Sequence, residues 1–495
     1  MNTQQQEVGY VVSSRDFLVY LDGFPTIKVN DMVESETALR GWVNGTFEDK
    51  IEVLMLDEGV IKPKQQFKRL SSRLGVTVGD FLLGRAINPL GVPIDGKGLL
   101  PPPTARLAFG GKTKANLNLE LDQEAPGIES RQFITNQFLT GITLIDTLIP
   151  LGQGQRELVL GDAHSGKTDF LVDIIINQKS TGIICILALI GKPAVTVRNL
   201  IDTLKLNKAL DYTVVIATSS SELAPLIFLT PKTAFTIAEY FQKKGKNVLL
   251  ILDDLGSHAK VYREISLLGN KPPGRESYPG DMFYQHAHLL ERAGNFLPQY
   301  GGGSITALPV IELNLSDFTT LIPTNLMSMT DGHLLFKAGL HSQGQTPAID
   351  ISLSVSRVGR QTQDQTSNLL STRVRQILSS AADLETISRF SSELPPETQL
   401  ILRRKDLIME ILKQDPLTAV VKQIQVILLA LPFTTFLQDK NRSFVEKYKK
   451  IIIEAFLKNP TLLPITKSVT KLKTDEELIK LLEGAGPLLS KLCPA

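Results

Sequence analysis

The residues best suited to chemistry form one short stretch, 161–168, which reads GDAHSGKT. It matches the full pattern G-x-x-x-x-G-K-[ST], in which backbone N–H groups enclose the phosphates of a nucleotide. Within this pattern Lys167 is expected to bind the β- and γ-phosphates, and Thr168 to ligate Mg²⁺. The sequence therefore predicts a phosphate-binding loop made of Gly161, Asp162, Ala163, His164, Ser165, Gly166, Lys167 and Thr168.

A second candidate lies at the end of the apolar run 248–252, where Asp253 and Asp254 follow. The carboxylate that ends a buried parallel strand lies at the phosphate edge of the sheet, where it can hold Mg²⁺ or its water. We assign this role to Asp253, the first acid after the strand. The alternative is that both acids cap the following helix.

Another strand is predicted to end at Gly191 and Lys192. A hydrolytic P-loop ATPase needs a carboxylate near the γ-phosphate to activate water. A lysine is cationic at neutral pH and cannot act as that base, but it can bind a phosphate. Farther along, the stretch SLSVSRVG (352–359) predicts an apolar strand at the rim of the sheet that ends at Arg357. There Arg357 fits equally well an arginine finger for a neighbouring subunit's γ-phosphate or a structural salt bridge.

The elements that would position these residues suggest a multidomain chain. Short alternating strands separated by Gly-containing turns predict a small antiparallel barrel or sandwich over 1–72. Apolar strands alternating with helical patterns predict an α/β P-loop nucleotide-binding domain with a mostly parallel sheet over 73–359. From 360 to 495 apolar residues recur at helical spacing and predict an all-helical domain. The strand candidates of the middle domain are 182–189, 213–217, 247–252 and 304–311.

Composition excludes several functional classes. Lys and Arg number 53 against 51 Asp and Glu, so charge gives no reason to expect nucleic acid or an acidic membrane as partner. Two cysteines, Cys185 and Cys493, cannot build a disulfide framework and favour a reducing compartment. The N-terminus lacks the pattern of a signal peptide, and the apolar stretch 426–437 is too short to cross a bilayer. We expect any membrane association to come through partners.

Three segments carry a resemblance to a known family: TGITLIDTLIPLGQGQRELVLGDAHSGKT, PPGRESYPGDMFYQHAHLLERAG, and SITALPV with the later IPTNLMSMTDG and PAIDISLSVSRVG. The chain closely resembles the alpha subunit of F-type ATP synthase, from the strand at Val8 to the helical C-terminus. SVSRVG and RESYPGD are similar to the alpha rather than the catalytic beta subunit.

The resemblance implies three domains in the order β-barrel, nucleotide-binding domain and helical domain. It also implies a non-catalytic subunit that binds ATP or ADP with Mg²⁺, three copies of which alternate with three catalytic beta-type subunits around a central gamma-type shaft. It implies that Arg357 is the finger that completes the beta-type site, and that Gln414 is an adenine-side residue. It also implies a cytoplasmic location, peripheral on the inner face of the cell membrane within a complex.

The chain departs from the family pattern at several positions. Lys192 stands where alpha subunits usually have Gln and catalytic members have Glu, and Ala163 and His164 replace Arg-Gln in the loop. His341, Thr346 and Pro416 replace an aromatic, an arginine and a second glutamine of the nucleotide pocket. Phosphate and Mg²⁺ binding are expected to be intact, whereas adenine recognition is left open.

Two alternatives accompany this interpretation. One is an autonomous homohexameric ATPase motor of the secretion type, against which Lys192 argues. The other is a structural paralogue that retains Arg357 but no longer binds nucleotide. The family's stalk-binding arm is mostly missing before Val8, so we expect the stator to attach by a non-standard contact.

Overall fold

The structure is a computed structural model that describes residues 7–102, 117–313, 317–388 and 395–494 of the 495-residue chain. The described chain divides into two compact units. Unit 1 comprises the residues up to Phe133 together with Gly154–Leu160 and Gln178–Asp331. Unit 2 comprises Ile134–Gln153, Gly161–Asn177 and the chain from Gly332 onward. The predicted domain limits at 72 and 359 stay predictions.

The strands occur mainly in the first two thirds of the chain. They are β1 (Val8–Arg15), β2 (Leu18–Asp22), β3 (Asp31–Ser35), β4 (Arg40–Thr46), β5 (Ile51–Met55), β6 (Gln66–Arg73), β7 (Gly75–Val78), β8 (Ala86–Ile87), β9 (Leu117–Glu120), β10 (Gln137–Phe138), β11 (Leu151–Gly152), β12 (Glu157–Asp162), β13 (Ile184–Lys192), β14 (Thr213–Ser219), β15 (Val248–Asp253), β16 (Gly294–Asn295), β17 (Ser304–Leu313), β18 (Gly332–Phe336) and β19 (Val355–Ser356).

The helices alternate with strands in the middle of the chain and then replace them. They are α1 (Thr143–Leu148), α2 (Lys167–Asn177), α3 (Ala194–Leu206), α4 (Ala224–Lys243), α5 (Leu255–Leu268), α6 (Met282–Leu290), α7 (Leu321–Met329), α8 (Ala338–Ser342), α9 (Gln365–Ser388), α10 (Pro396–Leu412), α11 (Lys422–Ala430), α12 (Thr435–Gln438), α13 (Arg442–Lys458), α14 (Leu463–Ser468) and α15 (Asp475–Leu492).

The first six strands close into an antiparallel barrel in the order β1-β2-β5-β4-β3-β6. Val19, Val33, Val43, Val53 and Phe67 are fully buried, which gives the barrel a core of apolar side chains, one on each of five strands. Closure removes the exposed strand edges that an open sheet of this size would leave. The predicted N-terminal barrel is confirmed.

The main sheet of unit 1 carries the chemistry-bearing strand ends. Its order is β12-β17-β15-β13-β14-β8, and the pairs from β17 to β8 are parallel, as is the Arg156–Ala307 bridge beside β12. The short β16 pairs antiparallel with β17. Since parallel strands run the same way, their carboxyl ends share one edge. The prediction of a mostly parallel sheet is confirmed.

Unit 2 contains the C-terminal helices predicted from their apolar spacing. Leu370, Val374 and Ala381 of α9 are buried, as the helical period requires. One local expectation is wrong: the apolar strand expected over 352–357 is only β19. The reason is a turn, in which the Asp350 carboxylate accepts hydrogen bonds from the backbone N–H groups of Ser352 and Leu353. The expectation about the arm before Val8 concerns residues 1–6, which lie outside the described residues.

Candidate functional site

The predicted phosphate loop joins a strand to the N-terminus of a helix. β12 ends at Asp162 and α2 begins at Lys167. Between them His164 has φ of +56° and Gly166 has φ of +84°, both left-handed conformations. Glycine adopts this region without steric cost, and histidine is among the side chains that enter it more often than most. The local sequence thus fits the turn that directs backbone N–H groups toward an anion at the start of α2.

The ammonium of Lys167 is held against the loop itself. The residue is 9% exposed, and its Nζ donates to the carbonyl oxygens of Gly161, at 2.6 Å, and of Asp162. Ser165 Oγ donates to the Asp162 carbonyl at 2.7 Å and tightens the same turn. Thr168, the next residue, is exposed. A positive charge, a helix N-terminus and an exposed hydroxyl together suit the binding of a phosphate group.

A cavity of about 90 Å³ lies beside the loop within unit 2. It is small compared with the ~300–1,000 Å³ of typical ligand pockets. The cavity contains the three positions at which the chain departs from the family's nucleotide pocket: His341, Thr346 and Pro416. Its lining residues are Ile142, Gly166, Asp169, Phe170, Asp173, His341, Thr346, Pro347, Ala348, Gln414, Asp415 and Pro416.

Gln414 lies in the wall of this cavity with its amide directed at the protein. Its Oε1 accepts from the backbone N–H of Thr143 at 2.9 Å and from the Thr143 hydroxyl at 3.0 Å. Its Nε2 donates to the carbonyls of Gly141, at 2.7 Å, and of Thr418. An amide offers two donors and an acceptor oxygen with two lone pairs, and these bonds use all of that capacity. Gln414 therefore braces the wall in this structure.

Two carboxylates that sequence reasoning missed face the same cavity. Asp169 and Asp173 are four residues apart on α2 and so lie on one helix face. The pKa of Asp173 is raised to about 6, chiefly by burial, which outweighs the opposing hydrogen bond from the backbone N–H of Leu417 and is aided by the charge of Asp169. The i, i+4 spacing directly after the phosphate loop was the available signal. The cavity is lined by acids and lacks the arginine that the family pattern places at 346.

The strand-end residues Lys192 and Asp253 meet in unit 1. β13 and β15 are parallel neighbours, with Leu189 opposite Asp253. Lys192 Nζ lies 2.8 Å from Asp253 Oδ1, and the Asp253 side chain is only 8% exposed. Burial acts to lower the pKa of Lys192, but the charge and hydrogen bond of Asp253 outweigh it, so that the pKa is raised. Lys192 is consequently a cation at neutral pH.

Asp254 has a different structural role from Asp253. It is the N-cap of α5, where its carboxylate accepts from the backbone N–H of Gly256 at 2.7 Å and from the Ser257 hydroxyl at 3.1 Å. The capping interpretation therefore describes Asp254, and Asp253 remains the residue at the strand end. Thr168 belongs to unit 2 and Asp253 to unit 1, so the predicted joint Mg²⁺ site stays a prediction.

Arg357 directly follows β19 and is exposed. Among the residues that the structure describes, its guanidinium has no carboxylate or hydrogen-bond partner. Burial lowers the pKa of His333, and the charge of Arg357 adds to that effect. The salt-bridge alternative for Arg357 thus finds no partner within the described part of the chain.

The backbone that carries Arg357 is fixed on both sides. Ser356 Oγ donates to the Pro150 carbonyl at 2.6 Å and accepts from the backbone N–H of Gly359 at 3.2 Å. A Cβ at Gly359 would lie 1.6 Å from the Pro150 oxygen, so only glycine fits there. The segment therefore presents an exposed arginine from a backbone that these contacts hold in place.

Comparison with known proteins places this arrangement in a family. Residues 141–356 match the model described as ATP synthase alpha/beta family, nucleotide-binding domain, and residues 363–485 match ATP synthase alpha/beta chain, C terminal domain. The chain is 39% identical over 482 residues to a protein named ATP synthase subunit alpha from Caldanaerobacter subterraneus subsp. tengcongensis, which covers 96% of this chain and 92% of the relative. The chain belongs to the ATP synthase alpha/beta family.

Further relatives carry the same name. ATP synthase subunit alpha of Mesomycoplasma hyopneumoniae (strain 7448) is 39% identical over 456 residues, or 92% of this chain and 87% of the relative. The ATP synthase subunit alpha of Sulfurovum sp. (strain NBC37-1) is 39% identical over 444 residues, which cover 90% of this chain and 86% of the relative. The similarity extends over almost the whole of this ATP synthase family member. In the part of the chain that the structure describes, none of the helices has the length and apolarity that crossing a bilayer requires.

Proposed function

We propose that the chain is the non-catalytic, nucleotide-binding alpha-type subunit of a rotary F-type ATP synthase or ATPase. It alternates with catalytic beta-type subunits in a three-plus-three hexamer around a gamma-type shaft and supplies Arg357 to their ATP sites. It attaches to the inner face of the cell membrane through those partners. The names of its relatives and the match over almost the entire chain support this assignment.

The observation that carries the non-catalytic role is the ion pair between Lys192 and Asp253. Lys192 occupies the position at which the catalytic members of the family have their general base. A cation paired to a carboxylate cannot accept a proton from water. A homohexameric motor made of this chain alone would lack the base that hydrolysis needs.

The phosphates of ATP or ADP are held, in this proposal, by residues 161–168. The N-terminus of α2 and the Lys167 ammonium support this, because both are charged or polarised to receive an anion. Lys192, which the sequence suggested as a further phosphate contact, has its ammonium on Asp253 instead. Gln414 serves the base-side cavity by bracing its wall.

The resemblance also implies Mg²⁺ at Thr168 and Asp253. The Asp253 carboxylate does not fit that role well, because it is nearly buried and already neutralised by Lys192. A divalent metal would have to displace the lysine before it could bind there. No step of the proposed function depends on the metal.

Equilibrium titration of the full chain with a fluorescent ADP analogue tests the nucleotide site. We expect saturable binding that Lys167→Ala weakens by at least about tenfold, because the substitution removes the ammonium from the phosphate loop. The exposed Lys205, outside this loop, provides the control Lys205→Ala, which should bind like wild type. Steady-state ATP hydrolysis by the chain alone should be negligible.

A failure of the chain to bind the ADP analogue would favour the alternative of a structural paralogue that no longer binds nucleotide. The small cavity and the fully engaged Gln414 amide are the observations in support of that candidate. Binding that Lys167→Ala leaves unchanged would exclude the loop as the site. Substantial ATP hydrolysis by wild type that Lys167→Ala abolishes would contradict the non-catalytic role and favour the autonomous motor.

A further inference from the structure

Unit 2 contains a second cavity, which we call the helix cavity, lined by residues of α9, of α10 and of the segment 340–352. Its volume of about 530 Å³ lies within the ~300–1,000 Å³ of typical ligand pockets. No residue lines both this cavity and the one beside the phosphate loop. The lining positions of α9, which are 375, 378, 379, 382 and 383, recur at helical spacing and so form one face of the helix. The helix cavity is therefore a separate candidate site.

Much of the wall of the helix cavity is apolar. Ile349 is fully buried in it. The half-buried apolar residues of the wall are Leu340, Ile351, Leu378 and Met409. Covering such partly exposed apolar surface with a ligand removes it from water, which stabilises the complex by about 25 cal/mol per Å². The wall therefore suits a ligand with an apolar body.

Arg375 supplies the wall with a cation that has no counter-ion in the described part of the chain. Its guanidinium donates a hydrogen bond to the Leu148 carbonyl, and none of the described carboxylates lies within ion-pair distance of it. Burial lowers the pKa of Arg375, and the charge of Arg360 adds to that effect. A guanidinium nevertheless stays protonated. A cation partly removed from water without a counter-ion costs free energy, and an anion that enters the cavity would reduce that cost.

The other charged groups of the wall are paired or lie at its exposed rim. Lys337 neutralises Asp350 at 2.6 Å, and Lys405 pairs with Glu385. Asp383 is exposed and lies along α9 about 12 Å from the unpaired guanidinium, by the rise of an α-helix. The inner part of the helix cavity thus offers a ligand an apolar surface beside one uncompensated positive charge.

We propose that the helix cavity binds a small amphipathic carboxylate, whose anionic group pairs with Arg375 and whose apolar body packs against Ile349, Leu378 and Met409. A guanidinium can hold a carboxylate through two parallel hydrogen bonds. The N–H donors of Arg375 that Leu148 does not use have no other partner among the described residues, so they are available for this pairing. The proposal goes beyond the proposed function, because it involves neither nucleotide nor the phosphate loop.

The test uses the full chain and two probes that share one apolar body, 2-naphthylacetate and its neutral amide, 2-naphthylacetamide. Isothermal titration calorimetry should show a single site per chain, with a Kd for the carboxylate at least about tenfold below that for the amide. Arg375→Gln should lose this preference. Arg375→Lys should retain part of it, since the ammonium keeps the charge without the fork. The control is Arg403→Gln on α10, which removes an exposed guanidinium that donates to the Gln438 carbonyl outside the helix cavity.

A second pair of variants tests the place of binding with Arg375 intact. Ser379 lines the cavity and is exposed, so Ser379→Phe should fill the mouth with an aromatic ring and weaken binding of both probes by at least about tenfold. The adjacent Ser380 is also exposed but does not line the cavity. Ser380→Phe is therefore the matched control and should bind like wild type. Urea denaturation verifies that each variant is folded.

Four results would overturn the inference. They are a wild type that binds neither probe, a wild type that binds both probes equally, an Arg375→Gln variant that keeps the preference for the carboxylate, and a Ser379→Phe variant that binds like Ser380→Phe. If Arg375→Gln fails to fold, the two serine variants and the two probes decide the matter. Undiminished binding of 2-naphthylacetate to Ser379→Phe would then contradict the site.

Discussion

Arg357 is the residue on which the proposed role in catalysis depends. It is exposed, follows a rigid backbone segment and has no partner among the described residues. A guanidinium is always charged and presents a planar fork of donors, which suits the charge that develops on a transferring phosphoryl group. Fingers supplied in trans accelerate phosphoryl transfer by about 10³–10⁵.

We expect Arg357→Ala to abolish ATP hydrolysis by the assembled complex while assembly proceeds. Arg357→Lys keeps the charge but loses the fork and should still impair turnover strongly. Arg360→Ala is a suitable control, because Arg360 bonds to Asn368 and Thr372 of its own chain. ATPase activity per intact hexamer, measured together with the assembly yield, distinguishes a catalytic role of Arg357 from a structural one. Turnover within a few-fold of wild type in an intact Arg357→Ala complex would contradict the finger.

A buried histidine pair in unit 1 gives the chain a pH dependence of stability. His258 Nδ1 lies 3.2 Å from His286 Nε2, and both residues are buried. Burial lowers the pKa of His286 from 6.5 to about 4. Burial also lowers the pKa of His258, with His286 and Lys232 adding to the effect. Both rings are therefore neutral in the fold, and the proton that unfolded histidine gains favours the unfolded state as pH falls.

The free energy of unfolding should fall as pH drops from about 6.5 toward 4, and it should be insensitive to this pair above 6.5. From the pKa shift of His286 alone, the loss between pH 7 and pH 5 is about 2 kcal/mol. Urea denaturation of wild type and His286→Gln at both pH values measures it, since glutamine does not titrate. Equal pH dependence in the two proteins would show that titration of His286 is not the cause.

Among whole elements, α13 fixes the cavity wall that contains Gln414. Lys449 donates to the carbonyls of Ile411, at 2.6 Å, of Glu410 and of Lys413, and so binds the end of α10. Burial lowers the pKa of Lys449 to about 8, against the opposing charges of Glu410 and Asp415. The next residue, Lys450, pairs with Asp415 at 2.8 Å on the surface. The segment that reaches the cavity beside the phosphate loop is thus held by two consecutive lysines of unequal burial.

We expect Lys449→Met to destabilise the chain by about 1–3 kcal/mol, because it leaves partly buried carbonyls without a donor. It should also weaken binding of the ADP analogue, since the Gln414 wall loses its anchor. Lys450→Met removes only an exposed pair and should change stability little. Urea denaturation and analogue titration of the two variants provide the comparison. Equal effects of the two substitutions would contradict the assignment of the anchor to Lys449.

The elements show what sequence could and could not reveal. The phosphate loop was predictable because the strand, the glycines and the helix are contiguous, and the barrel because its alternation is local. The Lys192–Asp253 ion pair was not predictable, because it forms only where β13 lies beside β15. The order of strands within a sheet cannot be read from local sequence. β19 came out shorter than expected because the side chain of Asp350 competes for backbone N–H groups. The spacing of Asp169 and Asp173 was visible in the sequence, but the burial that raises the pKa of Asp173 depends on the folded chain.

For the whole molecule, three features agree with the proposed role of a subunit that completes another subunit's site. It has a phosphate loop, a cation where a base is needed, and an exposed arginine on a rigid segment. None of the three gives the isolated chain a complete catalytic site, whereas in the proposed alternating ring each would act together with a neighbouring subunit. An alternating ring fixes the subunit composition of the complex. Only a measurement on the complex, and not on the isolated chain, can test that composition.

The mass of the intact complex, purified through a tag on this chain and measured by native mass spectrometry, is the most direct test. The account predicts a ring in which this chain and a distinct beta-type chain occur in equal number, together with a gamma-type chain. A ring built from copies of this chain alone would contradict it, and so would a chain that remains monomeric when its beta-type partner is present.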